Sequence, residues 1–264
     1  VDVIGSLNGT FFNEGTITGD EDGVYIDGDV GGSFQSSGSI AGLFGDGVDI
    51  DDNLSGTFLN SGTINGFGDG VYVDDDLSGS FENTGTITSR NQDGVSVGNL
   101  SGSFVNSGTI TADVAGVFVF NDVTGSLSNS GNISGGLDGI FIADELEGTF
   151  ENTGTITGQI EDGVEIGDSF RGTFVNRGTI IGQEEGVQFG QDFLANSQEF
   201  TGTLINYGTI IGGDDGIDVQ NLSAGGLIIN RGTIMGGDDA FDANYDFGGR
   251  FENYSFMRGG SDGF

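Results

Sequence analysis

The chain has 264 residues, a formal net charge of −35, 54 glycines and no proline, cysteine or histidine; its six cations are all arginine. Nucleic acid is excluded as a partner, because phosphate neutralisation needs a basic stripe, and an anionic membrane surface is excluded for the same reason. Absent cysteine rules out a disulfide scaffold, and no apolar run approaches the roughly 18 residues of a membrane-inserted helix.

Hydrophobic residues make up 34% of the chain, low for a globular domain, yet 22 phenylalanines argue against disorder. A repeat protein with a thin core reconciles the two. In chain order, one phrase recurs. Leu54–Val73 reads LSGTFLNSGTINGFGDGVYV, and Leu77–Val97 reads LSGSFENTGTITSRNQDGVSV. Aligned on the Asn of N-x-G, the copies are marked by Asn13, Ser36, Asn60, Asn83, Asn106, Asn129, Asn152, Asn176, Asn206, Asn230 and Asn253. Successive marks lie 23 or 24 residues apart, with a single step of 30 between Asn176 and Asn206. The surplus falls in FGQDFLANSQEFTG and predicts a loop insertion near 190–200.

Each copy holds three short β-prone runs bounded by glycine. Helical periodicity is absent and glycine is too frequent for helices. A fixed period of this size predicts an all-β fold, a single parallel β-helix (β-solenoid) over 1–264 with eleven coils of three short strands. Parallel crossovers favour the right hand. Eleven coils at one strand spacing each give a rod about 50 Å long. A β-propeller would need about 40–45 residues per blade.

Alternation within the runs points Phe58, Ile64, Val71 and Val73 inward. Repetition then builds columns: Phe58, Phe81 and Phe104 two residues before the Asn, and Ile64, Ile87 and Ile110 four residues after it. Asn60, Asn83 and Asn106 are expected to form a hydrogen-bonded amide ladder at a turn. The glycine closing N-x-G is expected at positive φ. The last two copies depart from the pattern, with Ala240 for the glycine of D-G and Ser255 for that of N-x-G.

Without His, Cys or Lys there is no ordinary base or nucleophile for triad chemistry. Paired carboxylates can hydrolyse glycosides, so a polysaccharide-acting β-helix enzyme is the alternative function. With 41 acidic residues, however, carboxylate pairs arise by chance. Asp22, Asp46 and Asp69 head consecutive copies, and Asp27, Asp51 and Asp74 follow three residues after the valines. Like charges one coil apart repel by about 1 kcal/mol in water, and bound cations relieve this. Oxygen ligands suit Ca²⁺, so calcium on these six aspartates is the metal and cofactor expectation; a solvated acidic face is the plainer reading. Thr-Ile-Thr at 16–18, 86–88, 109–111 and 155–157 reads as ordinary strand threonine. Arg177, Tyr207, Arg231 and Tyr254 fill the middle of N-x-G in the last four copies. Stacked one per coil, they alternate cation and ring, as a contact surface or as self-stacking.

Repeats combining N-x-G-T-I, D-G-V and L-S-G-S-F resemble the β-helical passenger regions of bacterial autotransporters and related large surface adhesins, over essentially the whole chain. The resemblance implies export and display at the surface of a Gram-negative cell. No catalytic residue carries over, and no membrane barrel is visible here. The expected function is therefore a non-enzymatic extracellular structural or adhesive rod. It associates head to tail with another copy or continues in a longer chain, with host or surface glycans as candidate targets.

Overall fold

A computed structural model describes residues 1–190 and 198–261. The loop insertion expected near 190–200 falls largely on residues outside the described ones. Among the described residues there is no helix. Three parallel sheets of eleven strands each run the length of the molecule. The first begins at Asp2–Ile4 and ends at Phe241–Phe247, the second runs from Thr10–Asn13 to Arg250–Asn253, and the third from Thr16–Gly19 to Phe256–Arg258. Each strand pairs with its counterpart one coil away, so the chain is a β-solenoid of eleven coils.

Register follows the repeat residue by residue. Phe81 pairs with Phe58 and Phe104, Asn83 with Asn60 and Asn106, and Ile87 with Ile64 and Ile110. The inward columns are fully buried, including Phe58, Ile64, Val71 and Val73. A further column of isolated bridges joins Leu54 to Leu77 and Leu100 to Val123. Parallel in-register strands leave each ring directly above its homologue. The rings of Phe34, Phe58, Phe81 and Phe104 therefore stack face to face, 4.6–4.8 Å apart and within 7° of parallel.

The asparagine ladder is present. Asn60 Nδ2 donates to Asn83 Oδ1 at 2.8 Å, and the same bond recurs to Asn253. It spans the long step unbroken, at 2.9 Å between Asn176 and Asn206. Nδ2 of Asn60 also reaches the Thr86 carbonyl at 3.3 Å, and its Oδ1 accepts the Gly62 N–H at 3.2 Å. Donor and acceptor are both used, which is why a fully buried amide is tolerated here.

The expected role of the N-x-G glycine needs correction. Among the described residues only Gly5, Gly28, Gly190 and Gly225 have positive φ. Gly62, Gly85 and Gly108 are needed for close approach instead, since a Cβ on any of them would lie 2.0–2.1 Å from the carbonyl oxygen of its homologue one coil below. Ser255 stands at the same place in the last coil, where the pairing is longer. The Phe256 N–H reaches the Gly232 carbonyl at 3.2 Å, against 2.8 Å for Thr233 to Gly208 one coil earlier.

The D-G glycine is fixed by a different neighbour. A Cβ on Gly94 would meet Ile110 Cγ2 at 2.4 Å and the Gly116 carbonyl at 2.5 Å. In the last coil the isoleucine is replaced by Met257, which lacks the β-branch, and there Ala240 replaces glycine. The two departures compensate each other. Gly94→Ala is expected to destabilise by about 1–3 kcal/mol. Adding Ile110→Met should return part of that loss, as read from denaturant midpoints in a double-mutant cycle. Strict additivity would contradict the packing account.

Candidate functional site

The first sheet carries the acidic side of the solenoid. Its outward column reads Tyr25, Asp49, Tyr72, Ser96, Phe118, Phe141 and Glu165 in successive coils. Along one edge run the aspartates of the D-G turns. Each accepts a backbone N–H from the same turn of the next coil: Asp22 from Asp46 at 2.8 Å, Asp46 from Asp69 at 2.6 Å, Asp69 from Asp93 at 2.8 Å and Asp93 from Ala115 at 2.8 Å. After the gap at Ala115 the pattern resumes from Asp138 to Asp162 and on to Glu185. Charge alone makes this column a row of repelling groups. The signal for its structural role is the recurrence of Asp before Gly, because a turn that repeats its backbone also repeats its unpaired N–H. A second polar column alternates acid and amide, Asp29, Asn53, Asp76, Asn99, Asp122, joined by backbone N–H groups or, from Asn53 to Asp29 and from Asn99 to Asp76, by the side-chain amide Nδ2.

Burial raises several carboxyls on this side of the solenoid. Desolvation pushes Asp46 and Asp138 up to about 6, Asp49 up to about 7 and Asp69 up to about 8, with adjacent carboxylates adding to the effect. Asp93 and Asp215 are raised mainly by burial as well. Burial also raises Asp162, which is hydrogen-bonded to Glu185. The N–H bond accepted by Asp46, Asp69 or Asp138 pulls the other way and is outweighed.

Of the six aspartates expected to hold calcium, Asp22 and Asp46 come together with Asp49, their carboxylate oxygens lying within 4.8 Å of one another. Asp69 forms the next rung of the same column. Asp27, Asp51 and Asp74 stand across the sheet, with the tyrosines between. Tyr25 donates its hydroxyl to Asp51 and Tyr72 donates to Asp74, the latter at 2.6 Å. The six are thus two rows, not one cluster. Calcium takes 6–8 oxygens. Asp22 and Asp46 each already commit an oxygen to a backbone N–H. Asp138, Asp162 and Glu165 make a second carboxylate group farther along.

Between the two rows lies an open trough. Its central hollow, about 500 Å³, is lined by Asp46, Asp49, Asp69, Asp74, Tyr72 and Phe120 among others. A neighbouring hollow of about 330 Å³ shares Asp93 with it and takes in Phe118 and Phe141. No arginine lines either hollow.

The arginines lie elsewhere. Arg177 sits over the Tyr207 ring at 5.2 Å and Arg231 over Tyr254 at 4.6 Å, the alternating stack expected from the repeat. Arg177 also pairs with Glu151 at 2.8 Å. Val175, Ile205 and Ile229 stand in register beside them on the second sheet.

No protein-family model, no curated protein and no solved structure matches the chain.

Proposed function

We propose that the chain is a non-enzymatic rod, a stiff acidic segment of a protein displayed outside a Gram-negative cell. There it holds other parts at a fixed distance or adheres to surface glycans. One observation carries this reading: the ladder from Asn60 to Asn253 runs without a missing rung, through the long step included. A bundle of unbroken columns with constant cross-section resists bending and transmits position. At its ends the core columns finish in half-buried Val3, Leu7, Phe11 and Ile17, and in Ala243, Phe251 and Met257. A further coil, from the same chain or from a second copy, would cover these side chains and pair the open strand edges.

Immunogold electron microscopy of intact native cells tests the proposal, using antibodies raised to the folded chain. Label standing outside the outer membrane, on rods or fibres, is the expected result. Label confined to the cell interior would overturn it, and so would hydrolysis of surface polysaccharide by the purified chain.

A further inference from the structure

Among the described residues, and away from the first and last coils, six large apolar side chains are exposed: Leu43, Phe44, Phe67, Phe120, Ile160 and Tyr207. All but Phe120 flank the third sheet. Leu43, Phe44, Phe67 and Ile160 stand on the turn that leads to the first sheet, and Tyr207 stands on the N-x-G corner at the opposite edge. Phe44, 75% exposed, and Phe67 lie in consecutive coils with ring centroids 6.5 Å apart, so the exposed apolar surface is continuous there. The face between these edges carries no acid. Its outward positions, from Thr16 and Thr18 to Phe256 and Arg258, hold no carboxylate in any coil. The low strand propensity of Asp and Glu does not account for this, since the first sheet carries Asp49 and Glu165 outward and the second carries Glu82 and Glu151.

The two edges change together along the rod. Where one edge has Phe44, Phe67 and Ile160, the opposite corner of the same coil has the small, exposed Ser37, Ser61 and Thr153. Where that edge turns acidic, at Glu184, Asp214 and Asp238, the opposite corner becomes Arg177, Tyr207 and Arg231. Between them, Ile181, Ile211 and Met235 stand outward in the same three coils. Large is thus matched with small, and acid with cation or hydroxyl, but across the width of a sheet. Arg177 pairs with Glu151 rather than Glu184, and Arg231 forms no ion pair among the described residues. A twofold axis parallel to the rod exchanges the two edges and keeps each coil at its own level. Laid on a second copy in this way, each side chain faces its match.

We propose that the third sheet is the interface of a parallel, side-by-side dimer of this chain. Arg231 of each copy meets Asp238 of the other, and Phe44 and Phe67 lie over the corners at Ser37 and Ser61. The second to tenth coils make a face about 43 Å long and about 17 Å wide, or roughly 700 Å² per copy, close to the ~800 Å² that each side of a stable dimer buries. At physiological ionic strength, charges more than about 8 Å apart are largely screened, so carboxylates on the other faces do not oppose contact here.

Sedimentation velocity of the purified chain, at neutral pH and physiological ionic strength, tests this and should show a dimer. Arg231→Asp should weaken the dimer by about tenfold or more, because it sets like charges opposite each other. Adding Asp238→Arg to the same chain should restore most of the affinity, since each exchanged charge then meets its exchanged partner on the other copy. Phe67→Ser should weaken the dimer by about fivefold or more, whereas Phe120→Ser, at an exposed ring on the first sheet, should leave it unchanged. A chain carrying Thr209→Cys, its only cysteine, should link to a second copy through a short bismaleimide, because like coils face each other. Circular dichroism melts confirm that each variant is folded. A monomer at about 0.1 mM would overturn the proposal. A dimer indifferent to both Arg231→Asp and Phe67→Ser, or one that Thr209→Cys does not link, would place the contact at the ends or on another face and would overturn it as well. None of these readouts depends on where the rod is displayed.

Discussion

Lowering the pH from 8 to 5 should raise the melting temperature of this protein. Asp46, Asp49, Asp69 and Asp138 ionise near 6, 7, 8 and 6 in the folded chain, above the ordinary carboxyl value of 3.8. The folded chain thus binds more protons than the unfolded chain between about pH 4 and 8. By linkage, stability falls as pH rises across that window and levels off above the folded values. A tenfold difference in proton affinity between the folded and unfolded chain corresponds to about 1.4 kcal/mol. Solvent screening at the partly exposed Asp46 and Asp49 reduces their share. The four groups together are then worth several kcal/mol, on the order of 5–10 °C in melting temperature. The wider repulsion of a chain with net charge −35 acts in the same sense. Asp69→Asn separates the two contributions. The amide oxygen can still accept the Asp93 N–H, and the buried charge is gone. This variant should be more stable than the parent at pH 8 and should show a flatter pH profile. A melting temperature that rises with pH from 5 to 8 would contradict the assignment.

Phe81→Ala should destabilise by about 3–5 kcal/mol, the range for deleting a buried ring. Phe81 is fully buried and stacked on Phe58 at 4.7 Å and on Phe104 at 4.8 Å. The neighbouring rings are pinned by their own strands, so the cavity cannot close by a small shift. Phe81→Leu should cost less than about 1.5 kcal/mol, since the column already accepts Leu127 and Leu204. Urea unfolding of the two variants beside the parent measures both. Equal losses would mean that the site demands the stacked ring itself and not merely apolar volume.

The columns are legible in the sequence because a solenoid presents the same surroundings once per coil. Residues 23 or 24 apart therefore face the same demand, and the chain repeats the answer. Phe, Asn and Ile recur for that reason, and buried amides, stacked rings and branched side chains each have a physical role that follows from in-register stacking. What the repeat conceals is the distance between coils. A turn glycine such as Gly62 commonly serves positive φ, whereas the clash that fixes it is with Gly38 in the coil below. The D-G aspartates announce themselves by charge, while their hydrogen bond runs to a backbone N–H, which no side-chain pattern displays. The trough is still harder to see. Asp49, Tyr72 and Phe120 each occupy a position whose residue type changes from coil to coil, so they leave no periodic trace.

The asparagine ladder also gives the rod an arrow. From Asn60 to Asn253 every Nδ2 donates toward the higher-numbered coil and every Oδ1 accepts from the lower, eight bonds in a row without reversal. The amide dipoles therefore align along the axis and polarise one another. At the last rung, Asn253 has no ladder partner beyond it, so any coil stacked there would have to bring an acceptor to that spot. Two copies joined through this same face would set donor against donor, with strands running antiparallel across the junction. The ladder thus disfavours an isologous end-to-end dimer and leaves heterologous, vectorial growth as the compatible way to lengthen the rod.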